Sequence, residues 1–531
     1  GQPGRRAVGQ RGLTGITNPA LGMNLAPVAD WSVQQPFLDV MKTARPWIGH
    51  LPGQWGGWDH DDLARGGWLG PGGWPTAVPP QLQAIATVVL NDLPAEARST
   101  AGRYRVTWQG EGSLRVDGRA RVVSARPGEI LFDFDPGPGA VIVTIAETDP
   151  ARRGRPIRDI RIVAERHRAA AEAGEIFNPD WIARIAGANP LRFMDWLATN
   201  GATLARAEDR PRPQDYTWAR QGVPVEVIAA LANRLQADPW ITLPHTAEPD
   251  LIADWAAVFR DRLDPGLRVW VEFSNELWNW VFPQAHWAQE GARREWGRDA
   301  AWVEYATLAA ARAMQTWTRA YGPTAPDRVV RVVGVQTGWL GLEDQMLGSP
   351  RVRAALGGDP AGYFDAYAVT GYFGGMLGDP ERLELLKSWL AEGPAAAEAR
   401  ALAALADGTG LPGAEGSLDH LLTVLLPHHA ARARDWGLDL VMYEGGTHVA
   451  GVGPVASEAD VTAFFTALNY TPGMAALHDR LIAGWAALGA GPFVYYYDVG
   501  GPGWHGSWGA LRHLWDDNPR WRAVAGGCGG C

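Results

Sequence analysis

The stretch "RVWVEFSNELWNW", Arg268 to Trp280, decides how this chain is read. It alternates as a strand does: Val269, Val271 and Phe273 fall on one face, and Trp270, Glu272, Ser274 and Glu276 on the other. The apolar face suits cover by helices, and the face that carries glutamate suits the inside of a parallel barrel. Glu276 then arrives at the C-terminal mouth, where such barrels build their active sites. A plain aromatic core strand that happens to end in Asn-Glu is the competing reading.

Outward from this stretch, strand-like runs alternate with helix-like ones, which argues for parallel βα units. The strands are carried by "LGMNLAP", "NPLRFMDW", "PWITLPHTA", "LRVWVEFSNE", "RVVRVVGVQTGW", "FDAYAVTGYF", "LDLVMYEGG" and "GPFVYYYDVGG", eight in all. Between Thr76 and Val163 the pattern changes to short strands separated by Gly, Pro and Asp turns, among them "YRVTWQG", "EILFDFD" and "AVIVTIAETD". That pattern predicts a small antiparallel sandwich. The expected fold is α/β: a (β/α)8 TIM barrel with an inserted or appended small all-β sandwich. Its parts are residues 1–75 (first barrel strand and a Trp/Gly-rich loop), 76–165 (sandwich), 166–525 (the rest of the barrel) and 526–531 (tail). A doubly wound sheet is the alternative, although "NLAPVADWS" lacks the Gly-rich phosphate turn that would follow its first strand.

Composition narrows the function. A net charge of -10 and a pI near 5.7 argue against a nucleic-acid binder, which needs a basic face for phosphates. Lysine occurs only at Lys42 and Lys387, so arginine supplies the rest of the 48 basic residues, a bias read as genomic before it is read as phosphate recognition. No apolar run approaches the roughly 18 to 20 residues that span a bilayer. The opening "GQPGRRAVGQRG" reads equally as a mature N-terminus left after cleavage and as a cytoplasmic start. Cys528 and Cys531, in a terminal "CGGC", suit a tail disulfide better than half of a zinc site, which needs about four ligands.

The 27 tryptophans are the unusual count. Several sit in glycine-rich loops, as in "GQWGGWDHDDLARGGWLGPGGWP" (Trp55, Trp58, Trp68, Trp74) and "GGPGWHGSWG" (Trp504, Trp508), where indole faces suit stacking on sugar rings or packing of the loop. "LDLVMYEGGTHVAG" delivers Glu444 to a strand end, and Gly445 and Gly446 are read as breaking the strand so that a ligand can approach. Two carboxylates at the mouths of two strands are what glycoside hydrolysis requires, one protonated to assist the leaving group and one ionised to attack or to activate water.

"EFSNELWN" resembles the Asn-Glu signature on the fourth barrel strand of the clan A retaining glycoside hydrolases, and "MYEGG" is similar to their nucleophile at the end of the seventh. "VEFSNELWN" and "YEGGTH" also resemble a group of secreted bacterial proteins named for cellulose binding. The resemblance covers the barrel and not the sandwich. It implies Glu276 as acid/base, Glu444 as nucleophile, and Asn275 as the partner of the sugar 2-hydroxyl. It further implies that Arg192 keeps Glu444 ionised and that Tyr372 hydrogen-bonds it. His245 and His448 stand in for the histidine that the clan often places near the sixth strand's end, and Trp504 and Trp508, after the eighth strand, are the expected sugar platform. Trp278 and Trp280 begin a loop that either lines the cleft or packs beneath it.

The expectation is therefore a retaining β-glycosidase acting within a polysaccharide or oligosaccharide, secreted or periplasmic, monomeric, and without cofactor or metal. The clan implies a carboxyl separation of about 5 to 5.5 Å. A non-catalytic carbohydrate-binding or scaffold protein on the same barrel is the alternative. A metal-dependent hydrolase is the third reading, and neither "PHHAARARD" nor "HTAEPD" supplies a full ligand set for it.

Overall fold

The computed structural model describes residues 12–297, 302–411 and 415–526. Cys528 and Cys531 lie outside the described residues. In chain order the strands are β1 (Leu21–Asn24), β2 (Ile48–His50), β3 (Gly57–Trp58), β4 (Ala84–Val89), β5 (Gly102–Gln109), β6 (Gly112–Gly118), β7 (Arg121–Arg126), β8 (Glu129–Phe134), β9 (Val141–Thr148) and β10 (Arg158–Ala164). They continue as β11 (Leu191–Arg192), β12 (Pro239–Leu243), β13 (Val269–Phe273), β14 (Val329–Gly334), β15 (Ala366–Phe373), β16 (Asp439–Thr447) and β17 (Phe493–Tyr495).

β1 and β11 through β17 close into a barrel of eight parallel strands, with β17 pairing back onto β1. Helices follow the strands, for example Val225–Leu235 before β12 and Pro249–Arg262 before β13. The arrangement is consistent with a TIM barrel, and its eight strands are those nominated from the sequence. The wall is built as parallel sheets require, from strands buried on both faces: Val269, Val271, Ile241, Val332 and Ala368 are all inaccessible or nearly so. Each such Val or Ile side chain contributes roughly 1.5–3 kcal/mol by leaving water. Between β15 and β16 lie the Leu-rich helix Leu383–Ala391, the Ala-rich helix Pro394–Asp407 and the helix Leu426–Asp435.

The antiparallel strands between β1 and β11 form two sheets, β3-β2-β4-β9-β6 and β10-β5-β8-β7. Tyr104, Val106, Ile130 and Phe132 of the second sheet are buried, as are Ile85, Val143 and Ile145 of the first. Tyr104 stacks on Phe132 with ring centroids 5.3 Å apart. β2 and β3 begin upstream of Thr76, so the five-stranded sheet draws β3 from the Trp/Gly-rich loop and β2 from the residues just before it. β7 is an exposed edge bounded by Arg121 and Arg126, charges that discourage pairing with another chain.

The antiparallel region is tied to the barrel by polar contacts. Asp39 Oδ1 accepts from Ile162 N–H at 2.9 Å, and Asp30 takes Arg45 Nε at 2.9 Å and Asn91 Nδ2 at 3.1 Å. Aromatic packing adds to them: Tyr216, from the loop after β11, stacks on Trp47 at 4.7 Å and meets Trp74 edge-on at 6.0 Å. Trp74 is thus a packing residue, whereas Trp55 remains 56% exposed.

Candidate active site

The site is built around Arg192, the last residue of β11, whose side chain is fully buried. A buried guanidinium must be paired. Nε and Nη2 donate to Glu272 Oε1 at 3.1 and 2.8 Å, Nη1 to Glu444 Oε2 at 2.8 Å and to Asn24 Oδ1 at 3.1 Å, and Nη2 to Asn275 Oδ1 at 3.0 Å. One cation therefore joins β1, β11, the β13 terminus and β16. Beneath it Trp240 Nε1 donates to Glu272 Oε1 at 3.0 Å, and Trp240 stacks on Trp270 at 5.2 Å. Trp270 and Glu272 thus lie inside the barrel, as the alternation predicts.

Beyond Glu272 the alternation stops applying. Ser274 and Glu276 both adopt left-handed backbone conformations, with φ of 58° and 44°. Such conformations cost roughly 1–3 kcal/mol each in a non-glycine residue and cluster at functional sites. Their effect is to turn successive side chains toward the mouth: Asn275 reaches Arg192, and Glu276 Oε1 accepts from Tyr443 Oη at 3.0 Å. Asn279 Nδ2 donates to Glu276 Oε2 at 3.1 Å, and Asn275 Nδ2 to Asn200 Oδ1 at 2.9 Å.

β16 uses a second device. Its register against β15 shifts between Val369 and Thr370, which pair with Met442 and Glu444, so Tyr443 is the extra residue of a bulge. A bulge re-aims side chains that alternation would send to opposite faces. Tyr443 lies under the Arg192 guanidinium at 5.0 Å, while Glu444 binds the same cation. The glycines that follow do not end the strand, which continues to Thr447. A Cβ at Gly445 would stand 2.5 Å from Met442 Sδ, and one at Gly446 2.8 Å from Tyr495 Cε2. They are there for close packing, which corrects the reading of them as a ligand approach.

Glu444 is buried and Glu276 half-buried, so the second carboxylate is the one open to solvent. Tyr372 Oη donates to Glu444 Oε1 at 2.8 Å. Burial pushes Glu444 up to about 8; Arg192 pulls it down, Glu276 pushes it further up, and Tyr372 pulls it down. The charge pairing expected of Arg192 is present, but the cation is shared with Glu272, which burial also pushes up.

Aromatic rings rim the two carboxylates. Tyr372 meets His448 at 5.2 Å, Tyr496 at 6.3 Å and Trp508 at 6.4 Å, and His448 meets Trp508 at 5.0 Å, all edge-on. Burial pushes His448 down, so its ring is neutral near pH 7. Tyr496 Oη donates to Asp195 Oδ2 at 3.3 Å, and burial pushes Asp195 up to about 6. The sequence reading thus overlooked Glu272, Asp195, Tyr443 and Tyr496. A charge inside an apolar strand, as in "VWVEF", was the available signal for Glu272.

Other nominated residues stand elsewhere. His245 is buried against Trp287 at 5.5 Å, its Nδ1 has no hydrogen-bond partner among the described residues, and burial pushes it down to about 4. Trp278 is buried edge-on to Tyr443 at 6.5 Å, so it packs beneath the mouth. Trp280 is 49% exposed and neighbours Trp302 at 5.7 Å. Trp504 is 66% exposed, with His505 beside it at 5.8 Å.

"PHHAARARD" acquires a third potential ligand, since Glu343, His428 and His429 bring their donor atoms within 4.8 Å of one another. However, His429 has Nε2 on Thr337 O at 2.9 Å and Nδ1 on Tyr367 Oη at 2.7 Å. Both ring nitrogens are therefore occupied in structural bonds. No described helix is long and apolar enough to cross a membrane. No protein-family model and no curated protein matches the chain.

Proposed function

We propose that the chain is a retaining glycoside hydrolase of the clan A type, acting within a β-linked polysaccharide. The observation that carries the reading is the pair at the barrel mouth: half-buried Glu276 on Tyr443, and buried Glu444 on Arg192 and Tyr372. In the first step Glu276 gives its proton to the leaving oxygen as Glu444 attacks the anomeric carbon. In the second, Glu276 takes a proton from the water that releases the glycosyl group from Glu444. The oxocarbenium-like charge develops above buried Glu444, and we assign the bond to the 2-hydroxyl to Asn275, which Arg192 and Asn200 hold. The rings of Tyr372, Tyr496, His448 and Trp508 supply the apolar and hydrogen-bonding wall that a pyranose uses.

The burial of Glu444 favours the second reading, glycan binding without cleavage: it pushes the carboxyl up, toward the protonated form, and a protonated carboxyl does not attack. The experiment is incubation with β-glucans, mannans, xylans and bacterial exopolysaccharides, with products identified by mass spectrometry and the first-formed anomer by NMR. Product of retained configuration, abolished in both Glu276→Gln and Glu444→Gln, is the expected result. Binding by the wild-type protein with no product from any polymer favours the second reading.

A further inference from the structure

A cavity of about 690 Å³ lies on the β1–β17 side of the barrel, and neither Glu276 nor Glu444 lines it. Its barrel wall includes Trp31, Tyr497, His505 and His513, and its other wall is the segment carrying Asp92 and Glu96, between β4 and β5. The two walls are bound together: Asn91 donates its backbone N–H to Asp30 O at 2.9 Å and its Nδ2 to Asp30 Oδ1 at 3.1 Å, next to Trp31. We propose that this cavity is a second saccharide site, which holds a neutral sugar segment between the barrel and the inserted sheets.

Its size falls within the range of about 300 to 1,000 Å³ typical of small-molecule pockets. Trp31 is 53% exposed, and unlike the other exposed indoles it lies in the cavity wall, where it offers a flat apolar face. His513 lines the cavity with a half-buried ring, whose edge can exchange a hydrogen bond with a hydroxyl. Burial pushes His513 down, so the ring is neutral near pH 7. The charge balance selects against acidic sugars. Asp92 and Glu96 bring negative charge, while Arg512, the cation in the lining, is committed to Asp516 through bonds of 2.9 and 2.9 Å. A hydroxyl-rich neutral ring can donate to these carboxylates, whereas a uronate would meet them with like charge. The inserted sheets are then a wall of a binding site as well as a brace. The inference rests on the glycosidase reading only for its choice of sugar as the ligand class.

The test is calorimetric titration of full-length Glu276→Gln protein with neutral gluco-, manno- and xylo-oligosaccharides and, separately, an oligogalacturonide. The expected result is two classes of site for at least one neutral probe, of which Trp31→Ala removes one and Glu96→Gln weakens the same one about tenfold. The oligogalacturonide should not fill it. One class of site insensitive to Trp31→Ala, no binding of any probe at millimolar concentration, or preferential binding of the uronate overturns the proposal. A Trp31-dependent site in a protein that hydrolyses nothing upholds the inference and removes the glycosidase reading. Hydrolysis accompanied by a single Trp31-insensitive site does the reverse.

Discussion

Tyr443 Oη donates to Glu276 Oε1 at 3.0 Å, so the residue that precedes one buried carboxylate in the chain holds the other across the barrel mouth. The bulge that turns Tyr443 inward therefore couples the two strand ends directly. As Glu276 gives up its proton in the first step it becomes a carboxylate, and a hydrogen bond to a charged group is worth about 1.5–3 kcal/mol. Tyr443→Phe keeps the ring under Arg192 and removes only the hydroxyl, so kcat should fall about tenfold to a hundredfold with little change in KM. Steady-state kinetics on a cleaved substrate checks this. An unchanged kcat would mean that the bond does nothing for the chemistry.

The Glu444 carboxyl gives a pH dependence of defined sign. A nucleophile attacks only when ionised, and burial pushes Glu444 up to about 8, so kcat/KM should climb with pH toward about 8, then fall at higher pH as Glu276 loses the proton it must donate. Stability runs the other way. The folded protein holds this proton more tightly than the unfolded chain, whose carboxyl titrates near 4.5, so the contribution is complete below 4.5 and is lost as pH rises from there to about 8. Glu444→Gln imitates the protonated form. It should melt higher than wild type at pH 9, by a few kcal/mol in stability, with the gap closing below pH 4.5. Equal melting temperatures at pH 9 would contradict this account of Glu444.

The barrel was legible because parallel strands are buried on both faces and leave short apolar runs, each ending in a polar residue at the mouth. Glu276 and Glu444 stand out for that reason, and so does Arg192 in "LRFMDW". What the sequence hides is local geometry. Alternation sends Asn275 and Glu276 to opposite faces, and only the left-handed Ser274 and Glu276 bring both to the mouth. The bulge at Tyr443 is equally invisible, because no glycine or proline marks it. β2 and β3, three and two residues long, are too short to show any period, so the antiparallel sheets begin earlier than their pattern does. Trp278 illustrates a further limit: composition brings tryptophan into view, but neighbours decide whether it lines the cleft or, as here, packs under Tyr443.

Chelation separates the hydrolytic mechanisms. The Glu343–His428–His429 group sits beside β15, with Tyr367 of that strand bonded to His429, and both His429 nitrogens are engaged. Incubation with excess EDTA should leave both the melting temperature and any glycan cleavage unchanged. A drop in melting temperature that zinc restores, and that His428→Ala abolishes, would assign that group as a metal site.

Arg192 is the group on which the mouth depends for its shape. It is bound by Glu272, Glu444, Asn24 and Asn275 at 2.8 to 3.1 Å, and removing it leaves two buried carboxylates without their cation. Breaking a buried ion pair from one side costs about 3–5 kcal/mol. Arg192→Met, which fills much of the volume, should therefore lower stability by that order in urea unfolding at pH 8, and less at pH 5, where the carboxyls carry their protons more readily. Adding Glu272→Gln removes one of the two stranded charges and should recover part of the loss, because Trp240 Nε1 can still donate to the amide oxygen. Activity should not recover with it, since Glu444 and Asn275 both lose the cation that positions them. A double variant no more stable than Arg192→Met would mean that Glu272 carries its own proton and that Arg192 is held chiefly by Glu444.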